Sequence, residues 1–119
     1  MNNYIFNCTL DRVIDGDTVD LNIDLGFDVW IKERIRFVEV DTPEIRTRDK
    51  VEKELGLQAK NYLEELLRGQ FLYYHSVAYN RDKYGRSLGW LYCSTDGITW
   101  INVNREMDRL CQQFTKTGS

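Results

Sequence analysis

Thr18-Val19-Asp20-Leu21-Asn22-Ile23-Asp24-Leu25 alternates apolar and polar side chains without a break, the period of a strand with one face turned to a core. Outward from it, Asp15-Gly16-Asp17 lies on one side and Gly26 on the other, both turn chemistry. Strand-like patterning also runs from Tyr4 to Arg12 and from Asp28 to Val40. Three strands separated by Asp-Gly and Leu-Gly breaks predict a twisted antiparallel meander. Pro43, the only proline, ends the third strand because it has no amide donor and restricts the residue before it.

Beyond Pro43, the charged stretch from Ile45 to Glu54 reads as a loop. From Gly56 to Arg68 the apolar residues Leu57, Ala59, Tyr62, Leu63, Leu66 and Leu67 fall mostly on one helical face, and Gly69 is a C-terminal stop. Phe71 to Tyr79 and Ser87 to Tyr92 return to strand character, joined by the polar segment Asn80 to Arg86. Val103, Met107, Leu110, Cys111 and Phe114 mark a second amphipathic helix with Asn102 as its N-cap, and residues 113–119 are expected to be a frayed tail. The order of elements makes an α+β chain whose five strands can close into a small barrel packed with two helices.

At 119 residues, 42% hydrophobic and 29% charged, the chain is expected to be a single domain, 1–119. No window approaches the roughly 18 uninterrupted apolar residues of a membrane span. Met1-Asn2-Asn3-Tyr4 resembles no export leader, so a cytoplasmic location and no membrane partner are expected. Cys8, Cys93 and Cys111 are too scattered for a disulfide framework or a zinc knuckle, and reduced thiols are expected. His75 is the single histidine, which excludes multi-histidine metal sites, and in its aromatic run it reads as an ordinary strand residue. Trp90, Tyr92 and Trp100 read as core. If the chain is an enzyme, carboxylates and arginines carry the chemistry.

Three polar clusters stand at strand ends: Asp15-Gly16-Asp17-Thr18, then Arg36 followed by Asp41-Thr42-Pro43-Glu44, and Asp82-Lys83-Tyr84-Gly85-Arg86. Singly, each is also explained as a hairpin turn, a helix start or a solvated loop, and Arg36 as an ion-pair partner of Glu33. Together they suggest more. Were Asp17, Asp41 and Glu44 to converge, carboxylates about 4 Å apart would repel by around 4 kcal/mol at an effective dielectric of 20, so a cation would be needed. Oxygen-only ligands favour calcium or magnesium over zinc, and an adaptable loop-built set leans towards calcium. Two arginines beside such an ion can each hold two oxygens of one phosphate. Metal, acid and arginine pair together describe phosphodiester hydrolysis. One geometric condition follows. Arg36 and Asp41 are separated by an odd number of residues, so a regular strand would point them to opposite faces. They can serve one site only if the chain bulges or turns between Phe37 and Val40.

With the motifs in this order and at this spacing, the chain resembles the staphylococcal nuclease (thermonuclease) family over roughly residues 4 to 111, most closely at Val13-Ile14-Asp15-Gly16-Asp17-Thr18-Val19, Val40-Asp41-Thr42-Pro43-Glu44 and Asp82-Lys83-Tyr84-Gly85-Arg86. The resemblance implies a five-stranded OB-type Greek-key barrel. It also implies that Asp17 and Asp41 ligate Ca2+ through their carboxylates and Thr42 through its backbone carbonyl. Glu44 would activate the attacking water, Arg36 and Arg86 would grip the scissile phosphate, and Lys83 and Tyr84 would contact a neighbouring one. Single-stranded or flexible DNA and RNA are the implied substrates, with a 3′-phosphate product.

The sequence departs from that family in three ways. The segment from Asn22 to Lys32 is longer than in the short thermonucleases and reads as an extended hairpin. The chain stops soon after its second helix, where the family continues through an aromatic segment and a third helix. Weaker, less selective binding of the base is therefore expected, or a second copy supplies the surface, so the protein is a monomer or a homodimer. Finally, the net charge is −3, and residues 1 to 31 hold six aspartates against Arg12 alone, so positive potential is local. The rival expectation is a non-catalytic nucleic-acid- or protein-binding module built on the same barrel.

Overall fold

Alternation around Val19 becomes a strand with Val19, Leu21 and Ile23 buried, seen in a computed structural model of the chain that describes residues 4–77 and 81–117. This strand, β2 (Thr18–Asp24), lies between β1 (Tyr4–Asp15) and β3 (Trp30–Phe37), and both neighbours pair with it antiparallel. The expected meander is therefore present. The expected long hairpin is present too: β2 and β3 pair out to Asp24 opposite Trp30, and Gly26, Phe27 and Asp28 take positive φ at the tip.

β1 pairs on its other edge with β4 (Phe71–Ser76), and β4 pairs with β5 (Ser87–Ser94). β5 then closes the ring by running parallel to β3 across Ile35, Arg36 and Phe37. The result is a closed, mixed five-stranded barrel of OB type, to which the two-residue β6 (Ile101–Asn102) adds at the edge of β5. The barrel interior holds Val13 from β1, Ile35 and Phe37 from β3, Leu72 and Tyr74 from β4, and Leu91 and Cys93 from β5. Cys8 is buried there as well, and desolvation pushes its thiol up to about 12. None of the helices among the described residues is long and apolar enough to cross a membrane.

Two helices complete the core. α1 (Lys50–Leu67) contributes Ala59, Leu63 and Leu67, and α2 (Val103–Thr117) contributes Val103 and Met107. α1 begins at Lys50 rather than at Gly56, because Asp49 is its N-cap: one carboxylate oxygen accepts from the backbone N–H of Val51 at 3.0 Å and of Glu52 at 3.2 Å. The first two turns carry no apolar face to betray them, since Val51, Lys53 and Glu54 are exposed. Asn102 caps α2 as expected, its side-chain oxygen accepting from the Arg105 N–H at 3.1 Å. α2 also runs to Thr117 and so takes in most of the expected tail, because Leu110 and Phe114 pack against the core. The end of the expected strand Phe71–Tyr79 falls at residues 78–80, outside those described.

One burial expectation is corrected. Trp90, Tyr92 and Trp100 are outside the barrel, because Leu91 and Cys93 take the inward positions of β5. Trp100 stacks on Tyr73 instead, with ring centroids 4.8 Å apart. His75 is a half-buried residue of β4 opposite Trp90.

Candidate active site

Every residue of the candidate site except Lys83 borders one pocket of about 710 Å³, lined by Asp17, Arg36, Asp41, Thr42, Glu44, Tyr84 and Arg86 among others. These residues come from three turns and one strand.

Asp17 belongs to the two-residue turn between β1 and β2. Its side chain is nearly buried, and both carboxylate oxygens accept hydrogen bonds. Thr18 Oγ1 donates to Oδ1 at 2.9 Å, while the Thr42 N–H and Oγ1 donate to Oδ2 at 3.1 and 3.0 Å. This clasp joins the first turn to the segment after β3. It is possible because small residues stand where α1 meets the turns. A β-carbon added at Gly16 would stand 2.7 Å from the Ala59 Cβ and 2.9 Å from Thr42 Cγ2, and one added at Gly56 would stand 2.6 Å from the Pro43 carbonyl oxygen. Contacts under 3.0 Å are excluded by sterics, so the helix can lie against both turns only while these positions lack a side chain.

The turn required between Arg36 and Asp41 is present. β3 ends at Phe37, Val38 and Glu39 form a turn, and Glu39 takes φ 62°. Arg36 Nη1 donates to the carbonyls of Phe37 and Val40, so the guanidinium itself braces the turn. Its other terminal nitrogen, Nη2, lies 3.5 Å from Asp17 Oδ2 and 3.5 Å from Asp41 Oδ1. The two acid oxygens therefore stand no further apart than twice that distance. Glu33, the alternative partner for Arg36, is held instead by Arg81 at 2.7 Å and by Ser87 Oγ at 2.7 Å.

Asn104, which sequence reasoning missed, holds the turn from behind. Its side-chain oxygen accepts from the Leu91 N–H at 3.0 Å, and its nitrogen donates to the Val38 and Gly89 carbonyls, each at 3.0 Å. The residue is 1% exposed. An Asn on the inward face of an otherwise amphipathic helix is the one signal the sequence offers for it.

Arg86 is aimed by Asp82. The Asp82 carboxylate accepts from Arg86 Nε at 2.8 Å and from the Tyr84 and Arg86 N–H groups at 2.9 Å each. Although desolvation works against it, these bonds hold the Asp82 carboxyl below its usual range. The Arg86 guanidinium lies 5.0 Å from the Tyr84 ring centroid, and Lys83 Nζ lies 5.2 Å from that same centroid. Beyond the two arginines a second recess of about 640 Å³ is walled by Leu88 and by Asp108, Cys111 and Gln112 of α2.

Glu44 borders the main pocket and is exposed, and its backbone N–H donates to Glu52 Oε1 at 3.3 Å. The three acids share the pocket without crowding: among the described residues no group of three His, Cys, Asp or Glu side chains is close enough to hold a metal ion. The carboxylates that the geometry brings nearest one another are Asp17 and Asp41, each 3.5 Å from Arg36 Nη2. That oxygen-only, incomplete set fits a hard divalent ion that keeps part of its water shell, and does not fit zinc.

Four further charged residues line the same pocket: Asp15 of the first polar cluster, Arg46 of the basic loop after Glu44, and Arg34 and Lys60, which sequence reasoning missed. Burial, reinforced by the charge of Asp17, raises the Asp15 carboxyl, while Arg46, Lys60 and Arg86 pull it down.

The family model for staphylococcal nuclease homologues matches residues 34–110, well over half of the chain. Among relatives, thermonuclease of Staphylococcus intermedius is 36% identical over 81 residues, covering 68% of this chain and 45% of that protein. Endonuclease YncB of Bacillus subtilis is 34% identical over 89 residues, covering 74% of this chain and 40% of its own length. An uncharacterised protein of Methanocaldococcus jannaschii is 31% identical over 114 residues, covering 81% and 52%. The chain thus spans about half the length of these relatives or less. On the barrel, the site geometry and the match of residues 34–110, the chain belongs to the staphylococcal nuclease family.

Proposed function

We propose that the protein is a calcium-dependent nuclease that hydrolyses phosphodiester bonds of single-stranded or flexible DNA and RNA. The observation that carries this reading is the meeting of Arg36 and Arg86 with Asp17, Asp41 and Glu44 around one pocket. Two of its relatives are named as nucleases, which supports it. Asp17, Asp41 and the Thr42 carbonyl would hold the ion, which when bound supplies positive charge at the attacked phosphate and raises the acidity of water.

The protein residues supply the rest. Arg36 and Arg86 each present a planar donor fork to the non-bridging oxygens of the scissile phosphate and stabilise the charge that accumulates there. Arg36 is pre-aimed by the Phe37 and Val40 carbonyls, Arg86 by Asp82, so little side-chain freedom is lost on binding. Glu44 accepts a proton from the attacking water as the new O–P bond forms. The P–O5′ bond breaks, the 5′-oxygen departs beside Arg86 and takes its proton from solvent, and the phosphate stays on the 3′ side. Lys83 and Tyr84 hold a neighbouring phosphate, and the recess beside α2 gives room for the attached nucleoside.

Cleavage of denatured DNA, followed with calcium or with chelator, tests the reading. Cutting is expected only with calcium, and Glu44→Gln is expected to lower the rate by about 10²- to 10⁴-fold. Undiminished cutting by that variant would remove Glu44 from the mechanism. Binding of DNA without any cutting would favour the non-catalytic module.

A further inference from the structure

We propose that Arg34, Arg46 and Lys60 form a second phosphate subsite, which takes a backbone phosphate next to the scissile one and makes an oligonucleotide, rather than a single nucleotide, the preferred ligand. The proposal rests on the nucleic-acid reading for the identity of the ligand and on its own geometry for the site. All three residues line the same pocket as Arg36 and Arg86, yet they reach it from β3, from the loop before α1, and from α1 itself.

Arg34 is a built element. On the outer face of the hairpin, register sets Thr18 opposite Arg36 and Asp20 opposite Arg34. Arg34 and Arg36 are two residues apart, so they share a face and are spaced about 6.7 Å along the strand. Asp20, 6% exposed, grips Arg34 in a two-point bond, Nε to Oδ1 at 2.8 Å and Nη2 to Oδ2 at 3.1 Å. Arg12 Nε donates to the same carboxylate at 3.1 Å. The trio carries one net positive charge, and among the described residues no protein acceptor meets Arg34 Nη1. Arg46 and Lys60 make no ion pair within the described residues.

The charge count around the pocket points the same way. Its lining holds Arg34, Arg36, Arg46, Lys60 and Arg86 against Asp15, Asp17, Asp41 and Glu44. This rim is positive by one in a chain whose net charge is −3. With Arg36 and Arg86 assigned to the scissile phosphate, the cations left for a further one are Arg46 and Lys60, which act on Asp15 without an ion pair among the described residues, and Arg34, whose partner Asp20 is shared with Arg12. A ligand carrying negative charge at regular intervals satisfies them, whereas a ligand with one phosphate does not.

Salt-dependent binding of a fluorescein-labelled oligothymidylate, read by anisotropy in chelator, tests this without requiring turnover. Every phosphate of a single strand that the protein ceases to neutralise lowers the slope of log affinity against log salt by about 0.7. Arg46→Gln/Lys60→Gln is therefore expected to flatten the slope by about 0.7, the loss of one phosphate, so that between 50 and 200 mM salt its affinity falls by a factor about 2.6-fold smaller than the parent's. Lys53→Gln, on an exposed part of α1 away from the pocket, is expected to keep the parent slope. The double variant is also expected to weaken the oligomer more than a dinucleoside monophosphate. A parent-like slope in the double variant, an equal flattening by Lys53→Gln, or failure of the parent to bind the oligomer overturns the subsite. An oligomer bound with the expected slopes but uncut in calcium supports the subsite and removes the catalytic reading; calcium-dependent cutting with an unchanged slope does the reverse.

Discussion

Replacing Asn104 by Ala removes three hydrogen bonds that tie α2 to the seam of the barrel. The Gly89 carbonyl keeps a donor, the Val38 N–H at 3.1 Å, but the Leu91 N–H and the Val38 carbonyl are each deprived of the Asn104 bond. A buried polar group left unsatisfied costs about 1 to 3 kcal/mol, and the space vacated by the amide admits some water, so the expected destabilisation is about 3 kcal/mol. For a domain of this size that lowers Tm by about 12 °C. Urea denaturation gives the free energy directly, with the slope m unchanged. Asn104→Asp separates the hydrogen-bond argument from a packing argument. It preserves the acceptor for Leu91 and nearly the same volume, but replaces the donor with a carboxylate oxygen facing two carbonyls at a site 1% exposed, and is expected to cost more than Ala. A destabilisation below about 1 kcal/mol for Asn104→Ala, or parent-like stability for Asn104→Asp, would refute the reasoning.

Gly16→Ala is expected to destabilise by about 1 to 3 kcal/mol because its methyl would meet the Ala59 Cβ at 2.7 Å; adding Ala59→Gly to that variant should recover part of the stability in a thermal melt, and no recovery would discount the clash. Asp20 has a carboxyl held below its ordinary value, chiefly by the Arg34 hydrogen bond, against desolvation and with help from Arg12. The stabilisation it provides is therefore fully present above the unfolded-state value and is lost as pH falls through the lower folded-state value. Unfolding midpoints measured on the acid side of about pH 4 should fall less steeply in Asp20→Asn than in the parent, and identical acid limbs would contradict the assignment.

The barrel is legible because its strands sort side chains by face: Val19, Leu21 and Ile23 announce a core from the sequence, and they form one. The turn at Val38 and Glu39 is legible for a subtler reason, since the odd separation of Arg36 and Asp41 permits no straight strand to serve both. Other features are hidden by the same physics. The first turns of α1 are largely solvated, so no apolar period marks them, and the only clue is Asp49 followed three residues later by Glu52. Trp90 and Tyr92 read as core by size, but in an eight-residue strand the inward register belongs to Leu91 and Cys93. Arg34 escapes notice because one basic residue on a strand carries no message until its neighbour across the hairpin, Asp20, is seen to hold it. Asn104 acts through three backbone groups on two other segments, which no local pattern encodes.

The parallel seam between β3 and β5 has a further consequence. Arg36 lies beside Leu88 across that seam, and Arg86 immediately precedes Ser87, the partner of Ile35. The two guanidinium groups are thus neighbours only when the first half of the chain has latched onto the last strand of the ring; with the seam unzipped they are carried away on separate ribbons. An anion gripped by both fastens the latch, so occupancy of the pocket and integrity of the cylinder are two readings of one equilibrium.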